Sequence, residues 1–514
     1  MMVTKQFYYI FLPFILLQSS LAFAQNLSAR VLDSVTQKPI AYATVLLNNK
    51  GVITNEEGRF TFLMTDNING NDSIFVSCIG YKSIGAPIRE FSENSIYLSP
   101  KAIELKEVIV SNKNYTAKEI VAMVQDSLEK NYRYGFTKKR LFLRETYTNY
   151  IQKTDYKIKE STIDAFNKAF LDSVINTVPK QDTYYTEMLG DLYGNEDEDE
   201  QKLGLIKASE LYDKNKRLDF ENLEERFNEI IKKNVKTDSY FKVKSGLFGT
   251  KLEADELFEE EIDSTDVASL NKQLAEKKKD KEEQKKFFAN YKRRTLGNLY
   301  GNLPIFKDSD YNVLFKPRRY ELTLEDFTYI GDKALYVIRF EPKGSEDYEG
   351  KLYINAEDFA LVKMDFKNTK PLRNFKLLGV SLNEYLAEGS ILFGKDRDGL
   401  YSLRYYEITK GNQVGFKRPL QIIEKNKNVK GRRKQNELHL KINASFSGKN
   451  KYEVVVFDID PINRSVFDSY VEDNIVLPTY MPNYDPEFWK GYTIMEPNTA
   501  IKEFTSEVSL ETVK

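Results

Sequence analysis

The chain has 514 residues, with 76 Lys and Arg against 77 Asp and Glu. A typical domain has roughly 100–200 residues, so this length predicts about three domains. The balanced charge gives no net field that would attract a polyanion, and we expect no nucleic-acid partner. The 33 Tyr and 33 Phe favour pleated, half-buried surfaces. The composition therefore predicts a multi-domain, β-rich α+β protein.

Residues 1–24 have the features of a secretory signal peptide. Lys5 precedes an apolar run from Tyr8 to Leu17, and Ala22 and Ala24 supply the small-x-small pattern before a cleavage site. The run is shorter than the ~20 residues that span a membrane. We predict export to the periplasm or to the outer membrane, with no transmembrane helix after signal removal. Cys78 is the only cysteine, so no intramolecular disulfide can form.

Residues 25–98 are predicted to form a small antiparallel β-sandwich. Apolar residues alternate with polar ones in strand-like runs, and glycines at 51, 58 and 80 mark turns. In the stretch 51–60, GVITNEEGRF, Glu56 and Glu57 are adjacent and point to opposite sides of an extended chain. Asn55 and Gly58 favour a turn. We therefore predict a hairpin turn here rather than a metal loop or an acid pair.

The order of residues in this region resembles that of the carboxypeptidase-regulatory-like domain, a transthyretin-like sandwich. That domain often stands at the front of TonB-dependent receptors and other envelope proteins of Gram-negative bacteria. The segment 105–110, LKEVIV, is similar to the one that commonly follows it. The resemblance implies an accessory module and an envelope role, without an activity. It rests on Asp33, Thr36, Lys38-Pro39, Ala43-Thr44-Val45, Gly51, Thr54 to Phe60 and Val76 to Tyr81.

The resemblance does not extend to the peptidase. A zinc carboxypeptidase needs at least two His and one Glu on the metal, and His439 is the only histidine. His439 alternates with Leu438 and Leu440, so we expect it on the polar face of a strand. Nothing in the sequence ties a nucleophile to it. We predict no catalytic, cofactor-binding or metal-binding residues, and no cofactor.

A linker at 99–115 and a helical region with charged insertions at 116–294 are predicted next. Thr116 and Glu119 have the spacing of a capping box, which starts a helix that ends near Asn131. Helical spacing recurs at 163–174 and 223–230. The charged stretch 266–294 is predicted to be an exposed helical arm, and the acidic run 195–200 a self-repelling loop.

Residues 295–480 are predicted to form a large antiparallel sheet, and 481–514 a tail that packs on it through its aromatic residues. Strand patterns occur at 319–324, 334–340, 351–355, 361–366, 400–408, 420–424, 437–445 and 452–459, with a basic turn at 430–434. The run YEGKLYIN at 348–355 looks like the curved sheet of periplasmic lipid or lipoprotein carriers. A concave sheet face either binds an acyl chain or is filled by a helix.

The function favoured by these observations is that of an exported cell-envelope protein without catalytic activity, which binds a protein partner or an apolar ligand. Two alternatives stay open. The first is a periplasmic lipid or lipoprotein carrier. The second is a carbohydrate-active enzyme that uses only Asp and Glu carboxylates, because such pairs are formed in space rather than in sequence.

Overall fold

The structure is a computed structural model. It describes residues 26–506 except 48–49, 64–70, 91–94, 102–114, 237–238, 247, 254–266, 429, 432 and 473–474. The predicted signal peptide, most of the predicted linker and the last eight residues of the predicted tail lie outside the described residues. The multi-domain, β-rich α+β architecture predicted from the sequence is confirmed.

The N-terminal module is a sandwich of two small sheets around a core that includes Val31, Val45, Phe60 and Val76. One sheet has the order β4-β1-β7 and the other β3-β2-β5-β6. The pairs are antiparallel except β1 with β7, which is parallel. The strands are β1 Asn26–Asp33, β2 Thr44–Leu47, β3 Lys50–Ile53, β4 Arg59–Leu63, β5 Ser73–Ser77, β6 Ile84–Pro87 and β7 Ser95–Leu98.

Fourteen strands of the described residues form one large sheet. Its order is β13-β14-β15-β16-β18-β19-β20-β8-β9-β10-β21, with β17 on β18, β11 on β19 and β12 on β11. The strands are β8 Thr137–Ser161, β9 Gln181–Gly194, β10 Gln201–Leu211, β11 Ser239–Ser245, β12 Phe248–Glu253, β13 Tyr320–Ile330, β14 Lys333–Pro342, β15 Tyr348–Asn355, β16 Leu361–Asn368, β17 Arg373–Leu377, β18 Val380–Lys395, β19 Tyr401–Asn426, β20 Lys434–Pro461 and β21 Thr479–Met481.

Six α-helices accompany the strands in the described residues. They are α1 Ala117–Asn131, α2 Lys168–Thr177, α3 Lys214–Asn234, α4 Val267–Gly301, α5 Arg464–Ser469 and α6 Thr499–Lys502. The capping box predicted for α1 is present, since the Glu119 carboxylate accepts from the Thr116 N–H at 2.7 Å and the Thr116 hydroxyl accepts from the Glu119 N–H at 3.3 Å.

Helix α1 packs against the part of the sheet that β13 to β16 form. Its apolar stripe, which includes Ile120 and Val124, is buried in the main core. Just beyond it, the Tyr132 hydroxyl donates to the Leu361 carbonyl at 2.7 Å, and the Asn131 amide donates to the Asp358 carbonyl at 2.7 Å. The sequence left open whether this sheet face binds an acyl chain or is covered by a helix. In the described residues, α1 covers it.

The structure differs from the prediction of a helical region at 116–294. Strands β8 to β12 lie in this stretch and belong to the large sheet. In the outer half of β8, exposed Asp155 and Lys157 alternate with partly buried Tyr156 and Ile158, a strand pattern that the helical prediction overlooked. The helix predicted at 163–174 begins only at Lys168, because the Asn167 side chain accepts from the Phe170 N–H at 3.1 Å and caps it there.

Two further differences concern strand length. β19 has 26 residues and β20 has 28, and each joins two strands that the sequence pattern separates. Their ends lie in two different cores. The main core includes Tyr406 and Val454, and a second core includes Phe170, Ile231 and Phe241. Between the cores, the middle parts of β8, β19 and β20 form a sheet of one layer whose side chains are partly exposed on both faces.

Candidate functional site

The middle of the large sheet carries a row of apolar side chains across five strands. Phe375 of β17 lies opposite Leu382 of β18, which lies opposite Val414 of β19, then Phe446 of β20 and Ile151 of β8. Residues directly opposite one another share a sheet face. Phe375 is 45% exposed, Val414 41% and Phe446 42%. We call these five residues the apolar strip, and it spans about 19 Å.

The other face of the same five strands is polar. The corresponding row there consists of Asn374, Asn383, Gln413, Ser447 and Tyr150. A strand that is exposed to solvent on both faces can carry polar side chains on both faces. The strip is therefore an exposed apolar row on a part of the sheet whose other face is mainly polar.

A cleft lies on the same face as the apolar strip, between α4 and strands β8 to β10. It encloses about 1120 Å³. Glu145 lies opposite Thr186 and Thr186 opposite Glu210, while Tyr147 lies opposite Tyr184, so these side chains form the floor. The helix supplies a wall from positions with helical spacing. This α4 cleft is lined by Glu145, Tyr147, Asn149, Tyr184, Thr186, Glu210, Asp280, Glu283, Gln284, Phe287, Phe288, Tyr291, Lys292, Leu477 and Pro478.

A buried ion pair ties α4 to the floor of the cleft. The Lys292 ammonium group donates to Glu145 and, at 3.0 Å, to the Thr186 hydroxyl. Lys292 is 2% exposed and Glu145 is fully buried. Burial lowers the pKa of Lys292, and the Glu145 carboxylate partly offsets that effect. The second carboxylate oxygen of Glu145, Oε1, has no hydrogen-bond partner among the described residues.

Tyrosines complete the contact between helix and sheet. The hydroxyls of Tyr147 and Tyr291 are 2.7 Å apart and share a hydrogen bond. Burial, and next the Glu145 carboxylate, raise the pKa of Tyr147. Burial and then Glu210 raise the pKa of Tyr184. The Tyr147 and Tyr184 hydroxyls therefore stay protonated and can donate hydrogen bonds, and their rings add apolar surface to the cleft.

The exposed arm predicted at 266–294 instead forms one wall of this cleft, which was not predicted. The helix extends to Gly301, and Ala289, Leu296 and Leu299 near its end are buried in the main core. The helical spacing of Phe288, Ala289 and Leu296 indicates a buried helix face, but the many charged residues before them obscured this pattern. The expected exposure does hold for Phe287, which is 74% exposed at the rim of the cleft.

The stretch 51–60 contains the expected turn, but it is not a hairpin, because β3 before the turn and β4 after it belong to different sheets of the sandwich. The turn also binds the module to the rest of the chain. The Asn55 side chain accepts from two backbone N–H groups of its own turn and donates to the Pro497 carbonyl at 3.1 Å. The Glu57 carboxylate accepts from the Thr499 N–H at 2.6 Å. This docking role was not predicted, because a local sequence pattern does not show which distant residues a turn contacts.

Glu56 completes a carboxylate cluster on the other face of the large sheet. Carboxylate oxygens of Glu56, Glu407 and Glu453 lie within 4.8 Å of one another. Lys451 forms ion pairs with all three, at 3.4 Å to Glu407 and 3.2 Å to Glu453. Burial raises the pKa of Glu407, while Lys451 and a hydrogen bond from Tyr42 lower it. A lysine thus stands where a cation would bind, and the cluster is an interface between module and sheet.

The other residues singled out from the sequence occupy structural positions. His439 is half-buried on β20, opposite Gln421 and Glu160, away from the α4 cleft. Burial raises the pKa of Cys78 to about 11, so its thiol is a weak nucleophile at neutral pH. Trp489 is 3% exposed, and its indole N–H donates to Glu187 at 2.9 Å.

The acidic run 195–200 differs from the self-repelling loop expected. It forms the turn between β9 and β10, where Asn195 and Asp197 accept from backbone N–H groups of the turn. Arg464 pairs with Glu200, and Arg294 lies 3.4 Å from Glu198. Arginines that are distant in sequence offset the repulsion, which composition alone does not reveal.

Comparison with known proteins identifies the module. Residues 27–110 match the model of the CarboxypepD_reg-like domain. The N-terminal module is a CarboxypepD_reg-like domain. This confirms the resemblance drawn from the sequence. The match covers the module and the segment after it, and it does not reach the large sheet, the apolar strip or the α4 cleft.

Similarity to other proteins is slight over the rest of the chain. No curated protein matches it. A structure of MucB in complex with MucA(peri) has 6% identity and a TM-score of 0.14, covering 65% of this chain and 92% of that chain. The complex of Pseudomonas aeruginosa MucA/MucB has 6% identity and a TM-score of 0.13, with coverages of 68% and 99%. A putative membrane-associated protein of unknown function from Bacteroides fragilis NCTC 9343 has 8% identity and a TM-score of 0.12, with coverages of 85% and 98%.

These TM-scores are too low to support an argument about fold or function. Separately, none of the helices in the described part of the chain combines the length and the apolar character needed to cross a membrane.

Proposed function

We propose that this chain is an exported, non-catalytic protein of the cell envelope whose large sheet binds a protein partner through the apolar strip. The single observation that carries the proposal is the exposure of Phe375, Val414 and Phe446 in one row. Contiguous apolar surface with polar surroundings is typical of a protein interface. The CarboxypepD_reg-like module and the signal-peptide pattern support the envelope location.

A protein partner fits the strip better than an acyl chain does. Lipid carriers enclose most of their ligand in a cavity. The strip lies on a single layer of sheet, and its side chains are open to solvent. It ends at β17, which in the described residues pairs with β18 alone and so has an edge free for a further strand. We propose a partner that presents apolar side chains to this open face.

Photo-crosslinking in intact cells tests this function. A photoreactive phenylalanine analogue is placed at Phe446 or Val414 on the strip, and at Ser447 or Gln413 on the opposite face as matched controls. We expect a discrete protein adduct from the strip positions only, and its loss when Phe375→Lys is added. Because Phe375 is nearly half exposed, this change leaves the fold intact.

Two outcomes would contradict the proposal. Equal adducts from both faces would indicate nonspecific contact. An adduct whose added mass is that of a lipid would instead favour the carrier alternative.

A further inference from the structure

The α4 cleft is a second site on the same face, and its charged lining is mainly acidic. Glu145, Glu210, Asp280 and Glu283 face one lysine, Lys292. Glu283 also lies 3.8 Å from Lys279, so part of its charge is balanced outside the cleft. Acidic side chains on a surface are common without a ligand, and this excess would mean little without a further observation.

That observation is the orphaned oxygen of Glu145. Oε1 is buried and has no hydrogen-bond partner among the described residues, while Oε2 binds Lys292. A buried carboxylate oxygen without a hydrogen-bond donor is destabilising. Glu145 lines the cleft, so a donor that enters the cleft can supply the missing bond. An N–H group of a ligand would satisfy this oxygen.

The walls of the cleft suit a cation in particular. The Lys292 ammonium lies 5.1 Å from the ring centre of Phe288 and 5.4 Å from that of Tyr291. These distances are within the range of cation–π attraction, so both rings stabilise the Lys292 ammonium. Tyr147 and Phe287 offer two further ring surfaces beside it. An apolar body attached to the cation would find aromatic surface at the rim.

We propose that the α4 cleft binds an organic ammonium ion, with the charged nitrogen toward Glu145 and Glu210 and the apolar body against Tyr147 and Phe287. The inference goes beyond the proposed function, because it concerns a different set of residues and does not depend on the strip. A free amine and a lysine side chain of another protein share this chemistry, and the test separates them.

Calorimetric titration of the whole mature protein at pH 7 provides the test. The probes are benzylamine, the lysine derivative Nα-acetyl-lysine-N-methylamide, neutral benzyl alcohol and anionic benzoate. We expect both amines to bind more tightly than benzyl alcohol, and benzoate not to bind. Tighter binding of benzylamine would point to free amines, and tighter binding of the lysine derivative to a protein side chain.

Variants locate the binding. Glu210→Gln should weaken benzylamine binding about tenfold, the effect of one charge-assisted hydrogen bond. Phe287→Ala should weaken it a few-fold without affecting the fold, since its side chain is mostly exposed. Glu503→Gln, an exposed carboxylate on another part of the surface, is the control. Amines that bind no better than benzyl alcohol, or equal affinities in all three variants, would overturn the proposal. Neither result would bear on cross-linking at the strip.

Discussion

Lys139 shows how much one buried charge can cost. It is 3% exposed, it donates to the Thr137 hydroxyl, and its ammonium lies 4.2 Å from the ring centre of Tyr300. Burial lowers its pKa from 10.5 to about 7. The folded state therefore binds this proton more weakly than the unfolded state. The stability that Lys139 contributes is present above pH 10.5 and is lost as the pH falls toward 7.

Lys139→Met should therefore stabilise the protein, and more at pH 7 than at pH 9. In the native protein this group makes the free energy of unfolding rise by up to about 1.4 kcal/mol per pH unit over that interval. The variant should lack this slope. Urea unfolding at both pH values measures it, with Lys157→Met, at an exposed position of the same strand, as the control. A parallel pH dependence in the variant and the native protein would show that Lys139 does not titrate there.

The environment of a single residue can be predicted where it depends on neighbours in sequence, and not where it depends on residues distant in the chain. The count of histidines excludes a zinc carboxypeptidase site, and the alternation around His439 places it away from the apolar side of its strand. Nothing local pairs Lys292 with Glu145, which is 147 residues away. The carboxylate-only enzyme stays a prediction, since Glu145 and Glu210 share a cleft but Glu145 is held by Lys292.

The capping box of α1 is an element whose stability can be measured. The Thr116 hydroxyl and the Glu119 carboxylate satisfy backbone N–H groups that the first helical turn leaves free. Thr116→Ala should destabilise the protein by about 1 kcal/mol. Lys118→Ala, an exposed position in the same turn, should change stability little. Thermal unfolding of both variants provides the comparison, and equal losses would mean that the cap contributes nothing specific.

Elements that pack one face on the core were predictable. The strands between 319 and 366 show clear alternation, and the structure has β13 to β16 there. The two ends of β19 and of β20 were predicted as separate strands. Their middle parts, which lie between the two cores, and strand β8 were not predicted. Cross-strand partners far along the chain hold them in place. A local sequence pattern does not show which distant strand will pair with a given segment.

The N-terminal module and the large sheet are joined through Lys451. This lysine forms ion pairs with three carboxylates, one from the module and two from the sheet. Stacking of Tyr42 on Tyr405, with ring centres 4.9 Å apart, adds an apolar contact beside it. The sequence predicts the module from its own strands, but it does not predict the surface on which the module docks.

Lys451→Met should destabilise the protein at pH 7 by about 3 kcal/mol, because it leaves Glu407 and Glu453 without a cation. Burial already raises the pKa of Glu407, so its contribution to stability is present at low pH and is lost as the pH rises. The deficit of the variant should therefore shrink toward pH 4. Calorimetric unfolding at both pH values tests this, with Lys449→Met, an exposed neighbour on the same strand, as the control. Equal deficits at the two pH values would refute the role of Lys451.

The unbroken strand β20 has a genetic consequence. It supplies Val454 to one core and Leu440, which is also buried, near the other, and both side chains point to the same face. Loss of a single codon between them, such as the one for Ser447, would shift the register of β20 by one residue. The side chains on one side of the deletion would then point to the opposite face of the sheet. Loops normally absorb such length changes, but no loop interrupts these 28 residues. A single-residue change in this stretch would have to be absorbed by a β-bulge, as happens where β8 carries one extra residue opposite Ser445 and Phe446.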